Sequence, residues 1–225
     1  MRTTVAVYLL VASCAGVTLP ANFQKCNRNQ PDLKECLLKA AQNGISQLTR
    51  AYDEVNIPNV HPLNVSELFI GAGVDPVAVD KEFKGCKLDG FHNMNVDKFE
   101  FDFEGKTLTI AGTFPEQTLE CPNEFTNGTE LVTIALKNVT FSGLFNYEET
   151  MKDGKTFINF VSSKINIDPE LAVFHFDFFD EVINDNWKEF FNEEMKDDYV
   201  DVVNRTLVQL FNNFFSKVSL EEAFD

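Results

Sequence analysis

The chain has 225 residues, 44% of them hydrophobic and 24% charged, which suits one globular domain with a sizeable core and excludes a disordered chain. The formal net charge of −16 argues against nucleic acid and anionic membrane surfaces, both of which reward clusters of Lys and Arg. Phe contributes 23 residues against four Tyr and one Trp, so an interior can be built from large rings without hydroxyls that need a partner.

Residues 1–15, MRTTVAVYLLVASCA, read as a secretory signal peptide. Arg2 supplies the positive start, Val5 to Ala12 the short apolar run, and Ser13 and Ala15 the small residues of a cleavage site. A secreted, extracellular protein with one domain over 16–225 is expected. No other stretch is long and apolar enough for stable membrane insertion. Cleavage removes Cys14 and leaves Cys26, Cys36, Cys86 and Cys121, an even set that suits an oxidising compartment. Of the three connectivities, Cys26–Cys36 with Cys86–Cys121 is favoured, because the first pair closes a short loop at a helix entry and the second is the remainder. Four sequons, at Asn64, Asn127, Asn138 and Asn204, point to glycosylation.

Pro31-Asp32 opens a helix, and Leu33, Leu37, Ala40, Ala41, Ile45 and Leu48 follow at helical spacing. The prolines of Ile57-Pro58-Asn59-Val60-His61-Pro62 end it. From about Leu63 to Phe178 the period is two, which predicts an antiparallel sheet with one buried face. Phe99, Phe101 and Phe103 alternate with acids, Gly105 turns the chain, and Asp153-Gly154 marks a hairpin. Phe174, Phe176 and Phe178 alternate in the same way.

From Asn184 to Val218 the period is helical, roughly 50 Å as one helix. Its apolar stripe, from Trp187 to Val218, drifts around the axis by about half a turn. Either the helix breaks near Asn192–Asp198 or its partner surface winds around it, as a strongly twisted sheet would. The fold class is therefore α+β, with a long C-terminal helix wrapped by a highly curved antiparallel β-sheet. Side chains either fill the space between them or leave an elongated hydrophobic tunnel, and periodicity alone does not separate the two.

Several segments, in order along nearly the whole mature chain, are similar to the insect juvenile-hormone-binding and takeout family of secreted proteins. They are the Cys26…Cys36 pair before a helix, Ile57 to Val65, Lys87-Leu88-Asp89-Gly90-Phe91, Gly128 to Gly143, Asn184-Asp185-Asn186-Trp187 and Phe211 to Phe224. Asn56 stands where the family usually has Gly, and Ser219 where a proline is common. The resemblance implies a tunnel for one small elongated hydrophobic ligand: juvenile hormone, another terpenoid or a fatty-acid-like lipid. The residues expected to face it are Phe99, Phe101, Phe141, Phe160, Phe174 and Phe176 from the sheet. From the helix, Trp187, Val203, Leu207, Leu210, Phe211 and Phe214 are expected. Tyr52, Tyr147 and His175 are candidates to orient a polar end. The alternative function is a secreted interaction protein of the same fold, binding a receptor or microbial lipid at its surface.

An enzyme, a cofactor and a metal site are not expected. The chain has no G-x-S-x-G elbow, no H-E-x-x-H and no C-x-x-C, and Gly71-Ala72-Gly73 lacks the third glycine of a dinucleotide loop. His61, His92 and His175 are scattered. Glu193-Glu194, Asp197-Asp198 and Glu221-Glu222 read as solvated charge clusters.

Overall fold

Leu33–Ser46 form α1, and the apolar residues at helical spacing turn one face inward, with Cys36 and Leu37 buried. These positions come from a computed structural model that describes residues 19, 23–70, 81–122, 131–176 and 187–224. The signal peptide, the Asn127 sequon, Gly71 to Gly73, Phe178 and Asn184 to Asn186 lie outside the described residues, as do the side chains of Phe176 and Trp187.

After α1 a single 3-10 turn, Asp53–Val55, is closed by a bridge between Tyr52 and Ile57. Asn56 ends that turn at φ 57°, ψ 32°. This is the left-handed region, where Gly is preferred and Asn is the best-tolerated alternative, so Asn56 suits the position it holds.

Among the described residues six antiparallel strands follow: β1 Leu63–Ile70, β2 Lys81–Asp89, β3 Asn95–Asp102, β4 Thr107–Pro122, β5 Leu131–Lys152 and β6 Lys155–Phe176. The order is β1-β2-β4-β5-β6. β4 carries β5 along one side; on the other, β3 pairs with its first half and β2 with its last residues. The β5–β6 hairpin turns at Asp153-Gly154, both at positive φ (53° and 77°), as a two-residue hairpin requires. Asp102 makes the β3–β4 turn by accepting hydrogen bonds from the Glu104 and Gly105 amides at 3.1 and 2.8 Å.

The period-two pattern is interrupted across β4, β5 and β6 at a level that the sequence does not advertise. In β4 the buried positions run Leu108, Ile110, Gly112, Phe114 and then Gln117, Leu119, Cys121, changing parity at Pro115-Glu116. β5 changes parity at Lys137-Asn138 and β6 between Pro169 and Ala172. Pro115, Asn138 and Glu170 are skipped by the pairing at the same level. Asn138 has φ 48°, and its amide donates to the Glu170 carboxylate at 2.7 Å. Together the three positions form a crease across the sheet, with the register unchanged on either side, at which each strand swaps the face it buries.

The C-terminal rod is broken where the drift of its stripe allowed. Trp187–Phe190 form α2, Phe191–Met195 a π-helical turn and Lys196–Phe215 α3. A π turn holds one extra residue, roughly 100° of rotation, and so resets the stripe. α3 touches both β6 and β1, the two ends of the strand order, so the sheet curls around the helix. A last helix, α4 Leu220–Phe224, folds back beside β6. Its first turn is a capping box: Glu222 accepts the Ser219 amide at 3.0 Å, and the Ser219 hydroxyl accepts the Glu222 amide at 3.2 Å. Glu221 accepts the Thr156 amide, and Glu222 binds Lys155 at 2.6 Å. The Glu221-Glu222 pair is therefore a structural latch and not a solvated tail.

Both expected disulfides are present. Cys26–Cys36 joins the N-terminal segment to α1, and Cys86–Cys121 joins β2 to β4.

Candidate functional site

The inward face of α1, the sheet and the C-terminal half of α3 do not meet in a filled core. They enclose a cavity of about 240 Å³. One wall is α1, with Leu37, Ala40, Ala41, Gly44 and Ile45. The opposite wall is α3, with Leu207, Leu210, Phe211, Phe214 and Phe215. The sheet side is Phe99, Phe101, Ile110, Phe114 and Phe141; Phe91 and Met94 continue it from the 3-10 turn Phe91–Asn93, and Ala223 and Phe224 close it from α4.

Among the described residues Gln24 is the one polar side chain in this lining, and it is exposed, which places it at a mouth. Its amide makes only a weak 3.4 Å contact with Cys36 Sγ. The rest of the lining is hydrocarbon, glycine and a disulfide sulfur. Such a space stays free of water, because a water needs two to four polar partners.

Aromatic edges fix the walls. Phe114 sits between Phe91 and Phe141, at 6.0 and 5.9 Å, both edge to face. Phe101 meets Phe224 at 5.0 Å and Phe103 at 5.6 Å. The same end is tied by the Arg28 amide, which donates to the Phe224 carbonyl at 2.8 Å, and by the Cys26–Cys36 bridge.

Seven of the twelve residues expected to face a ligand line the cavity: Phe99, Phe101, Phe141, Leu207, Leu210, Phe211 and Phe214. Phe160 and Val203 are buried but do not line it. Phe160 packs on Phe145, Tyr147, Phe211 and Phe215. Phe174 lies at the other end of the rod, 5.5 Å from Phe190. There Phe191, Met195, Tyr199, Leu119 and Leu136 are all buried side chains, and the cavity does not reach them. Among the described residues this cavity belongs to the α1 end and does not run the length of the helix.

The polar candidates stand apart from the cavity. The Tyr52 hydroxyl donates to the Gln47 carbonyl at 3.2 Å. His175 is on the exposed face of β6. The Tyr147 hydroxyl is buried without a hydrogen-bond partner, behind Phe101 and Phe160. Burial, with the charges of Glu149 and Asp102 nearby, pushes its pKa up to about 12, so it stays a neutral phenol.

Sequence reasoning missed the contribution of α1. The signal was available: Ala40, Ala41 and Gly44 put small residues on a core-facing stripe, and small residues there leave space opposite. It also set aside His61 and His92, which the fold brings together around Asp89, with the ring centroids 4.1 Å apart. Of the sequons, Asn64 and Asn138 are exposed, whereas Asn204 is half-buried and accepts the Ser163 hydroxyl at 2.6 Å. Among the described residues no helix is long and apolar enough to cross a membrane.

The family model for haemolymph juvenile hormone binding proteins matches residues 5–225 of the chain. Among solved structures, the chain is similar to the crystal structure of Takeout 1 from Epiphyas postvittana, with 16% identity and a TM-score of 0.72 over 90% of this chain and 99% of that one. At that identity the likeness speaks for the fold. No curated protein matches the chain in sequence.

Proposed function

We propose, from the premise that the chain belongs to the haemolymph juvenile hormone binding protein family, that it is a secreted carrier holding one slender apolar molecule in the cavity between α1 and α3. The observation that carries the reading is a lining of hydrocarbon with a single polar side chain at its mouth. The volume, about 240 Å³, exceeds the ~150 Å³ of an apolar cavity known to accept benzene and lies just below the ~300–1,000 Å³ of ligand pockets. Those bounds favour one isoprenoid or acyl chain over a bulky polycycle. Within the family's chemistry the ligand is juvenile hormone, another terpenoid or a fatty-acid-like lipid.

The driving force is transfer out of water. Burying about 300 Å² of ligand surface is worth about 7 kcal/mol. Lost ligand and side-chain freedom offsets part of this. What remains needs no charged anchor, and an ester, acid or epoxide end would rest at the mouth beside Gln24. The Phe99, Phe101, Phe141, Leu207, Leu210, Phe211 and Phe214 side chains are the proposed contacts. Cleavage after Ala15, a single domain over 16–225, and glycosylation at the exposed Asn64 and Asn138 complete the proposal. The paired cysteines and the apolar run before Ala15 support secretion.

The test is native mass spectrometry of protein secreted from eukaryotic cells. A co-purifying lipid, or one-to-one uptake of an added terpenoid or fatty acid, is expected. A protein that rejects every apolar probe yet captures a receptor or a microbial lipid at its surface would replace the carrier with an interaction protein.

A further inference from the structure

Two histidines from separate loops share one carboxylate on the outside of the cavity wall. His61 Nδ1 lies 2.7 Å from Asp89 Oδ1, and His92 Nδ1 lies 3.6 Å from the same oxygen. The three residues offer ligand atoms all within 4.8 Å of one another. Metal–ligand distances of about 2.0–2.2 Å set the edge of a zinc tetrahedron at ~3.3 Å, between the two observed separations.

The parts are held in place. Asp89 Oδ1 also accepts the Gly90 amide at 2.6 Å, which orients the carboxylate. Asn59 brackets the His61 backbone, accepting its amide at 3.1 Å and donating to its carbonyl at 3.3 Å. His92 Nδ1 is buried and has no hydrogen-bond partner. A buried ring nitrogen left without a partner costs free energy, and with the proton on Nε2 it presents a lone pair toward Asp89 and His61.

We infer that His61, Asp89 and His92 form a binding site for one divalent transition-metal ion of the zinc class, with three protein ligands and the remaining coordination position open to water. Two imidazoles and a carboxylate suit Zn²⁺, and also Cu²⁺ and Ni²⁺, better than Ca²⁺ or Mg²⁺, which take oxygen. His61 is half-exposed, so the ion has an entry path. The ion would tie the Ile57–Pro62 segment to the end of β2. Val60 and Phe91, the neighbours of His61 and His92 in the chain, both line the cavity, so the tie fastens one wall. This inference does not depend on the carrier reading, since the site lies outside the cavity.

The experiment uses the full secreted chain, stripped with EDTA and dialysed. Zinc chloride titrated by calorimetry is expected to bind at one equivalent with micromolar or tighter affinity and to raise the melting temperature. Co²⁺ should give a visible spectrum of nitrogen–oxygen coordination. His92→Asn and Asp89→Asn should each weaken Zn²⁺ binding at least tenfold and abolish the cobalt spectrum. Asp89→Asn keeps an oxygen for the Gly90 amide, so its metal-free melting temperature should match the parent, which separates lost coordination from lost fold. His175→Asn should leave binding unchanged. Zinc affinity indifferent to His92→Asn and Asp89→Asn, binding that is lost with His175, or binding only at millimolar zinc would overturn the assignment.

Discussion

Two amide side chains act as substitute strands. Asn212 on α3 accepts the Phe160 amide at 2.7 Å and donates to the Phe160 carbonyl at 3.1 Å, pairing both outward backbone groups of a residue on the β6 edge. Gln42 on α1 does the same for β3, accepting the Val96 amide at 2.8 Å and donating to the Met94 carbonyl at 2.9 Å. A backbone group left without a partner costs about 1–3 kcal/mol. Asn212→Leu, similar in size but without the amide, should therefore lower stability by about 1–3 kcal/mol in urea. It should also speed hydrogen exchange at the Phe160 amide, and exchange left at the parental rate would show that the bond contributes nothing. Such residues escape sequence reading because an Asn on a helix looks like surface until its partner strand is known. Asn56 is similar: its left-handed φ was visible only as a departure from a glycine.

At the scale of elements, α4 is held by charges that acid removes. Partial burial works against ionisation of Glu222, but the Lys155 ammonium and the Ser219 cap outweigh it and hold the carboxyl below its ordinary 4.5. A carboxyl with a depressed folded pKa stabilises the fold above its unfolded pKa, and the contribution is lost as pH falls through the folded value. The wild type should melt above Glu222→Gln at pH 7, and the two should converge as the pH drops below about 4.5. A gap as wide at pH 3 as at pH 7 would show that the latch does not rest on the ionised group. The long strands and the helical stripe were legible because their periods differ, 2 against 3.6. The π turn was legible as drift. The crease was not, because three local parity changes inside an alternating run look like ordinary variation until the strands are set side by side. The pairing register that aligns Pro115, Asn138 and Glu170 is a long-range fact.

For the whole molecule, the cavity is a balance between packing and function. Gly44 lies on α1 and lines the cavity, and a Cβ added there meets nothing within 4 Å. Gly44→Leu removes a helix-interior glycine, worth about 0.5–1 kcal/mol, and fills empty space with hydrocarbon. It should raise the melting temperature while reducing uptake of an apolar fluorescent probe tenfold or more. A stabilised variant with undiminished uptake would place the ligand elsewhere. The seven expected residues that line the cavity were legible because Phe99, Phe101 and the α3 stripe must face inward wherever the core lies. Which end is hollow was not, since that depends on small residues of α1 meeting large ones of α3 across the fold. Phe174, away from the cavity, carries the same alternation as Phe101, which lines it.

The treatment of the strand margins reaches past stability. Along β6, Glu221 takes the Thr156 amide, Asn212 takes both groups of Phe160, and Asn204 takes the Ser163 hydroxyl, while Gln42 covers β3. Bare margins of long strands are templates on which one molecule recruits the next into fibres. For the proposed carrier, hiding oil inside gains nothing if its own borders invite stacking. The helices here serve as selvedge as well as lining, keeping the woven sheet from being stitched to its neighbour.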